Sequence, residues 1–501
     1  MTLAEDTKRI TSRFELTDDE LNRGVKEFLQ QMHDGLEKDG TSLSQIPSYV
    51  TSIPNGTEKG LCLAADLGGT NFRVCSVNFN GDTTFKLTYT KVTIPKELMF
   101  AKTAGQLFAF LAKQIEEYLE LHHSEHYAAI IRKRQTSSNL EGFEDEQIFQ
   151  LGFTFSFPVQ QVGINRGKLI RWTKGFDIPD AVGKDVCVLL QQEIDKLKLP
   201  VRVAALVNDT VSTLMARSYT SPGKTKTLLG AIFGTGTNGA YVEKLANIHK
   251  PIEGEYDKSS GEMVINTEWG SFDNQLNFLP TTPYDQELNK STPNPGTHMY
   301  EKHVSGMFLG ELTRLAIVDM LQNPNTLLFR DKNSSVNNWT SNTAISGESP
   351  VLAVWGLESA ILSVAAADNT PDLSVLRQQL EEVLHIHAPS LDDAQAFKEV
   401  AGSVVRRAAR LSAIPLAAIM IHCGALNDGT DEPIDIGVDG SVIEHYPFYR
   451  HMVYEGLRAI KEIGTKGADR VRIGITKDGS GVGAALIALV SDKTTLVDTD
   501  L

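Results

Sequence analysis

LAADLGGTNFRV (63–74) is the stretch whose reading decides the fold. A short apolar strand (LCLAA, 61–65) runs to Asp66, small residues turn the chain at Gly68-Gly69-Thr70-Asn71, and FRVCSVNF (72–79) alternates as a second strand. Asn80-Gly81 is a type I′ hairpin signal and TTFKLTY (83–89) returns, so three antiparallel strands are expected. In such a turn small residues let backbone N–H groups approach a ligand, with hydroxyl and amide donors alongside, which suits a phosphate. Asp66 before the turn offers a magnesium anchor and Arg73 after it a cation. A plain hairpin turn would need only the two glycines.

Working outward, QLFAFLAKQIEEYLELH (106–122) has the helical period and LGFTFSF (151–157) is a strand stopped by Pro158. VRVAALV (201–207) is a strand feeding Asn208-Asp209-Thr210, the start of the helix VSTLMARSY (211–219). The pattern then restarts: LLGAIF (228–233), the turn GTGTN (234–238) and GAYVEKL (239–245) read as strand, turn and strand. Gly-Thr-Asn occurs at 69–71 and again at 236–238. Asp439-Gly440-Ser441 follows the strand IDIGV (434–438), and Asp478-Gly479-Ser480 follows VRIGIT (471–476). These echoes predict two lobes of related α/β topology, each offering glycine turns to one cleft.

Around this frame, 18–37 reads as an amphipathic helix with Leu21, Val25, Phe28, Leu29 and Met32 on one face, and HMYEKHVSGMFLGELTRL (298–315) as a single helix. VVRRAARLSAIPLAAIMIHC (404–423) reads as a buried helix kinked or broken at Pro415. The three glycines opening GSGVGAALIALV (479–490) are expected to serve packing. Segments 132–146 and 330–350 are polar and irregular, expected surface excursions.

With 501 residues, and domains of about 150, the chain has room for roughly three domain-sized units or two large lobes. Its 41% apolar and 22% charged content, with 19 Pro, excludes a disordered, collagenous or disulfide-framework chain. A net charge of −15 argues against nucleic acid or an anionic membrane as a partner, so a phosphate site must be local and built from backbone dipoles. Cys62, Cys75, Cys187 and Cys423 are far apart with no zinc spacing, which fits reduced thiols in cytosol. The start, MTLAEDTKRITSRFELTDDE, lacks the apolar core of a signal peptide, and runs such as 414–421 are too short to span a bilayer, so a cytoplasmic protein without membrane insertion is expected.

The site candidates each carry two readings. Gly234-Thr235-Gly236-Thr237-Asn238-Gly239 matches the dinucleotide G-x-G-x-x-G, but that site needs a helix at the third glycine, and Ala240-Tyr241-Val242-Glu243 reads as a strand. No G-x-x-x-x-G-K-[ST] pattern occurs. Asp209 is either a helix cap or a carboxylate at the C-terminal end of a strand, where α/β folds place ligand chemistry; Asn208 is a rival for the cap. Glu301 has no cation at 304 or 305 to pair with, and Glu268 sits beside Trp269 at a glycine turn, so both carboxylates are free either to hold sugar hydroxyls or to face solvent. Lys174, between Trp172 and Phe176, either faces an apolar wall or snorkels.

Taken together, LAADLGGTNFRV (63–74), LGFTFSFPV (151–159), RWTKGFDIP (171–179), NDTVSTL (208–214), IFGTGTNGAY (232–241), INTEWGSFDN (265–274), YEKHVSGMFLGE (300–311), VDGSVIEHYP (438–447) and DGSGVGAAL (478–486) resemble the hexokinase family of the actin-like ATPase superfamily. The likeness runs from about residue 20 to about 490, and TEWGSF, GTGTNG and AIPLAAI look most like the fungal glucokinases.

The resemblance implies a two-lobed α/β fold of the actin-like, ribonuclease-H-like kind, divided as 61–207 plus 476–501 (small lobe) and 1–60 plus 208–475 (large lobe). It implies ATP-dependent phosphorylation of glucose at the 6-hydroxyl, with a broad-specificity hexokinase or a sugar sensor with residual kinase activity as alternatives. Ser156, Thr173, Lys174, Asn208, Asp209, Asn238, Glu268 and Glu301 match the sugar-holding positions. By the same likeness Asp209 is the catalytic base, Lys174 stabilises the transferring phosphoryl group and Arg73 lies near its developing charge. ATP falls to Asp66, Gly68, Gly69, Thr70, Asn71, Gly234, Thr235, Gly236, Thr237, Gly440 and Ser441, with Mg²⁺ near Asp66 through water. Glucose and MgATP are the expected partners, and a homodimer is left open. Phosphoryl transfer asks mainly for positioning and charge stabilisation, so backbone turns, a metal and one base suffice, and two lobes offer a way to exclude water.

Overall fold

Two sheets carry the architecture, and their five long strands follow one order. In the computed structural model, which describes residues 2–69, 71–129, 148–172, 174–330, 342–427 and 429–491, the first sheet consists of Lys59–Leu67, Asn71–Asn80, Phe85–Thr93, Phe149–Phe155 and Val201–Val207. Numbered along the chain, they lie side by side as third, second, first, fourth, fifth, the first three antiparallel and the last two parallel additions. The second sheet repeats this with Thr227–Phe233, Thr237–Lys244, Glu262–Asn266, Ile434–Asp439 and Val471–Ile475, and adds the short Ile46–Pro47 at its edge. Each glycine turn links the first and second strands of its sheet, so the recurring Gly-Thr-Asn marks equivalent corners of two like-ordered units.

Each fifth strand feeds a helix, Asp209–Thr220 after the first sheet and Gly479–Ser491 after the second; each helix packs chiefly against the other sheet, and the two pack together. A core between the sheets joins them to Ala64 and Val77 on one side and Ala240 and Val264 on the other. Close approach requires glycine here: a Cβ at Gly483 would lie 1.9 Å from Ser212 O, and one at Gly230 would lie 2.5 Å from Leu214 N. The packing role expected for Gly483 is thus met. Arg217 on the same helix reaches Asp435 with Nε at 2.8 Å and Nη2 at 2.5 Å, and Arg472 Nε joins at 2.7 Å. These buried, charge-assisted bonds fix the helix that begins with Asp209.

The helix over 18–37 forms as expected, with Thr17 and Glu20 closing a capping box and Leu21, Val25, Phe28 and Met32 buried. Four details differ from the sequence reading. The 80–84 connection is longer than a two-residue turn: Asn80 N donates to Thr84 O, and Asp82 Oδ1 accepts from Thr84 N in a local side-chain turn. The stretch 298–315 is two helices, Met299–Val304 and Gly306–Gln322, because Ser305 is extended and Gly306 N donates to Gly234 O instead of continuing the first helix. Helix Leu391–His422 runs through Pro415 without a break and starts earlier than expected. Part of the 330–350 excursion is packed: Ala344–Ile345 pairs with Ile386–His387, and buried Thr343 donates to Ala388 O. Residues 132–146, 331–341 and 492–501, together with Thr70 and Thr173, lie outside the described residues.

Candidate active site

The strand Val201–Val207 ends at Asn208, and here the cap question resolves. Asn208 is the N-cap, its Oδ1 accepting from Thr210 N at 2.9 Å and Thr210 Oγ1 at 2.5 Å. Asp209 is thereby relieved of capping. Burial pushes its carboxyl above the ordinary aspartate range, and the Lys174 ammonium works against that rise. Asp66, at the end of Lys59–Leu67, is raised mainly by burial and further by the charge of Asp209, so the two carboxylates face a common space.

Lys174 does not snorkel. Its Nζ donates to Gly68 O at 2.9 Å and Ser156 O at 2.8 Å and lies 5.5 Å from the centre of the Phe157 ring. It therefore ties the glycine turn to the end of Phe149–Phe155, beside the stacked Trp172 and Phe176.

The second turn is joined to the carboxylates on its own side. Thr237 N donates to Glu301 Oε2 at 3.0 Å, and a Cβ at Gly236 would lie 2.8 Å from that oxygen. Asn238 Nδ2 donates to Asn266 Oδ1 at 2.9 Å, while Asn266 Nδ2 donates to Glu268 Oε1 at 2.8 Å. Burial raises the Glu268 carboxyl; the bond from Asn266 opposes this, and the charges of Asp209 and Glu301 add to it. Glu268 and Lys174 both hold left-handed backbone, φ 53° and 54°. The Gly440 Cα would lie 3.1 Å from a Cβ at Gly234, with Ser441 N at 3.3 Å, which places the 439–441 turn against 234–238.

The structure thus brings Asp66, Lys174, Asp209, Glu268 and Glu301 into one electrostatic neighbourhood, with Gly236 and Thr237 joined to Glu301, Gly440 and Ser441 against Gly234, and Gly68 and Ser156 joined to Lys174. Thr235 docks by its carbonyl, which accepts from Met307 N at 3.3 Å. Two further candidates have partners of their own, and the Arg73 charge also bears on Asp66. Arg73 Nη2 pairs with Asp478 Oδ1 at 2.7 Å and its guanidinium lies 4.4 Å from the Tyr89 ring centre. Asn71 Oδ1 meets Thr93 Oγ1 at 3.5 Å. Sequence reasoning missed Asn266, although it lies two residues before Glu268, and Ser480, whose Oγ donates to Asp66 Oδ2 at 2.8 Å.

The fit to magnesium rests on Asp66. One carboxylate, steadied by a hydroxyl and set beside a turn of backbone donors, is what Mg²⁺ uses when phosphate oxygens and water complete its shell. Among the described residues no group of three or more His, Cys, Asp or Glu side chains is arranged to hold a metal ion, and no helix is long and apolar enough to cross a membrane.

Comparison with known proteins agrees with this geometry. The hexokinase family models match residues 6–219 and 228–490. The chain is 54% identical over 494 residues to a glucokinase of Aspergillus niger, covering 98% of each chain. It is 41% identical to glucokinase-1 of Saccharomyces cerevisiae over 96% of each. A structure of Schistosoma mansoni hexokinase complexed with glucose superposes with a TM-score of 0.77 at 32% identity, covering 97% of this chain and 99% of that one. The fold is the two-lobed α/β actin-like ATPase fold, and the chain belongs to the hexokinase family.

Proposed function

We propose that the protein transfers the γ-phosphoryl group of ATP to the 6-hydroxyl of glucose, with Asp209 as general base. The observation that carries this reading is the state of Asp209: freed of capping by Asn208, half-buried, and set in the field of Lys174 and Asp66 on one side and Glu268 on the other. The family relationship and the high identity to glucokinases support the reaction and the donor.

In this mechanism Glu268, Glu301, Asn238, Asn208 and Ser156, with Thr173, hold the sugar hydroxyls. The Asp209 carboxylate takes the proton from O6 as O6 attacks the γ-phosphorus, and the bond to the bridging oxygen of ADP breaks. Lys174, already anchored on two carbonyls, presents its ammonium to the transferring group. The backbone N–H groups of 68–71 and 234–237 serve the ATP phosphates, and Gly440 and Ser441 line the adenosine side. Asp66 would hold magnesium, through water, and the ion when bound would supply charge neutralisation. Arg73, whose charge bears on Asp66, serves the developing charge of the transferring group. The lobes divide at 61–207 plus 476–501 and 1–60 plus 208–475. A cytoplasmic setting suits the free cysteines Cys62, Cys75, Cys187 and Cys423.

The test is steady-state kinetics of the purified protein with MgATP over a panel of hexoses, the product of the glucose reaction being identified by NMR. Glucose 6-phosphate is expected. No transfer to any hexose, or phosphorylation at another hydroxyl, would overturn the proposal.

A further inference from the structure

A cavity of about 730 Å³ lies outside both sheets, lined by the 11–18 connection, by one face of helix Leu391–His422 and by the 446–452 stretch. Neither glycine turn and none of the carboxylates assigned to the sugar lines it. Its volume falls in the range, roughly 300–1,000 Å³, that holds small organic ligands.

The walls combine apolar surface with an excess of positive charge. Phe14, Tyr446, Phe448 and Met452 supply the apolar part. Phe448 is 66% exposed and held in left-handed backbone at φ 63°, an arrangement that costs free energy in both respects. The lining holds four cations (Lys398, Arg406, Arg407 and Arg410) against three carboxylates (Glu15, Asp18 and Glu399), in a chain whose net charge is −15.

Most of these charges are already committed. Arg407 is clamped bidentately on Asp285, at 2.8 and 2.7 Å, and Arg410 pairs with Asp18 at 2.5 Å. Lys398 donates to Asp368 O, and Glu399 accepts from Gln395 at 2.8 Å. Arg406 has no ion pair among the described residues, and its side chain is exposed at the cavity. The Nε atoms of Arg407 and Arg410 are buried without a hydrogen-bond partner, and the Arg407 side chain is 0% exposed. A buried guanidinium with an unused donor is costly unless something accepts from it. Gly402, on the same helix face, has nothing within 4 Å of where its Cβ would be, so the helix leaves room at the cavity.

We propose that this cavity is a binding site for an amphipathic organic anion, an apolar body with one carboxylate, sulfonate or phosphate, whose charge is met by Arg406. The site is distinct from the sugar and ATP positions and does not depend on their assignment.

The experiment is a fluorescence titration of the full chain with two probes that share one apolar body: 8-anilinonaphthalene-1-sulfonate and its uncharged counterpart N-phenyl-1-naphthylamine. Saturable binding of the sulfonate is expected, undisplaced by glucose or MgATP. Arg406→Gln should weaken the sulfonate by at least about ten-fold, the loss of one charged hydrogen bond, and leave the neutral probe unchanged. Gly402→Leu, which fills the space and raises helix propensity, should remove both probes while activity stays unchanged. The proposal is overturned if the sulfonate shows no saturable binding, if its affinity survives Arg406→Gln, or if glucose or MgATP displaces it. Should Gly402→Leu fail to fold, the Arg406→Gln comparison alone decides.

Discussion

The two glycine turns look alike in sequence and differ in what their glycines are for. At 234–238 the protein itself occupies the space: a Cβ at Gly236 would press on Glu301 Oε2 at 2.8 Å, and one at Gly234 would meet the Gly440 backbone at 3.1 Å. At 66–71 the space is free: a Cβ at Gly69 would have nothing within 4 Å, and one at Gly68 only Asp66 Oδ1 at 3.5 Å and Ser156 Oγ at 3.9 Å. The second turn is glycine-rich where the Glu301 carboxylate and the Gly440 backbone press against it. At the first, no described atom crowds Gly69, so the turn has the room that the proposed phosphate approach needs. One repeated motif is therefore packed against its own lobe at 234–238 and left open at 68–69.

Substitution should break this comparison unequally. Gly236→Val displaces Glu301 as well as the nucleotide path, so kcat/KM for glucose should fall at least ~10²-fold and both ligands should bind poorly, by titration calorimetry on protein with native circular dichroism. Retained glucose affinity would mean that the turn and Glu301 are not coupled. Gly69→Val should raise KM for MgATP ~10-fold or more while glucose Kd stays within ~2-fold, because only the open turn is filled. Equal loss of both ligands would make the two turns equivalent after all.

Specificity depends on the wired side. A sugar that leaves the half-buried Glu268 or Glu301 without its hydroxyl partner gives up a charge-assisted hydrogen bond, and fructose differs from glucose at carbons 1 and 2. Glucose should exceed fructose by ~10-fold or more in kcat/KM, mostly through KM. Comparable values would assign the protein to the broad hexokinases without touching the chemistry.

The smallest effect is a shift in a pH profile. Burial raises the Asp209 carboxyl and Lys174 holds it down, so kcat should fall as pH drops through that raised value. Lys174→Met removes the opposing cation and should move the acid limb to higher pH, apart from any loss in kcat itself. An acid limb that stayed in place would separate Lys174 from the base.

Much of this was legible in the chain because short-range signals and tertiary structure agree. Asp66, the strands around it and the Gly-Thr-Asn echo were read from alternation and turn chemistry, and the shared strand order of the two sheets bears out the expected kinship of the lobes. What escaped depends on contacts across long separations. Nothing local announces that Ser480 reaches Asp66, that Arg73 is held by Asp478, or that Gly306 turns away from its helix to meet Gly234 O. Asn208 and Asp209 stood as rivals for one cap, and only the bond from Thr210 N separates their roles.

The central claim is that Asp209, set between the two turns, removes the proton from the 6-hydroxyl. Asp209→Asn keeps the size of the side chain and its place after Asn208 while abolishing its basicity. Measured on the folded variant, kcat should fall ~10²-fold or more with glucose Kd within an order of magnitude of the parent. A variant with near-parental kcat would contradict the account and return Asp209 to the first turn of a helix with no part in the chemistry.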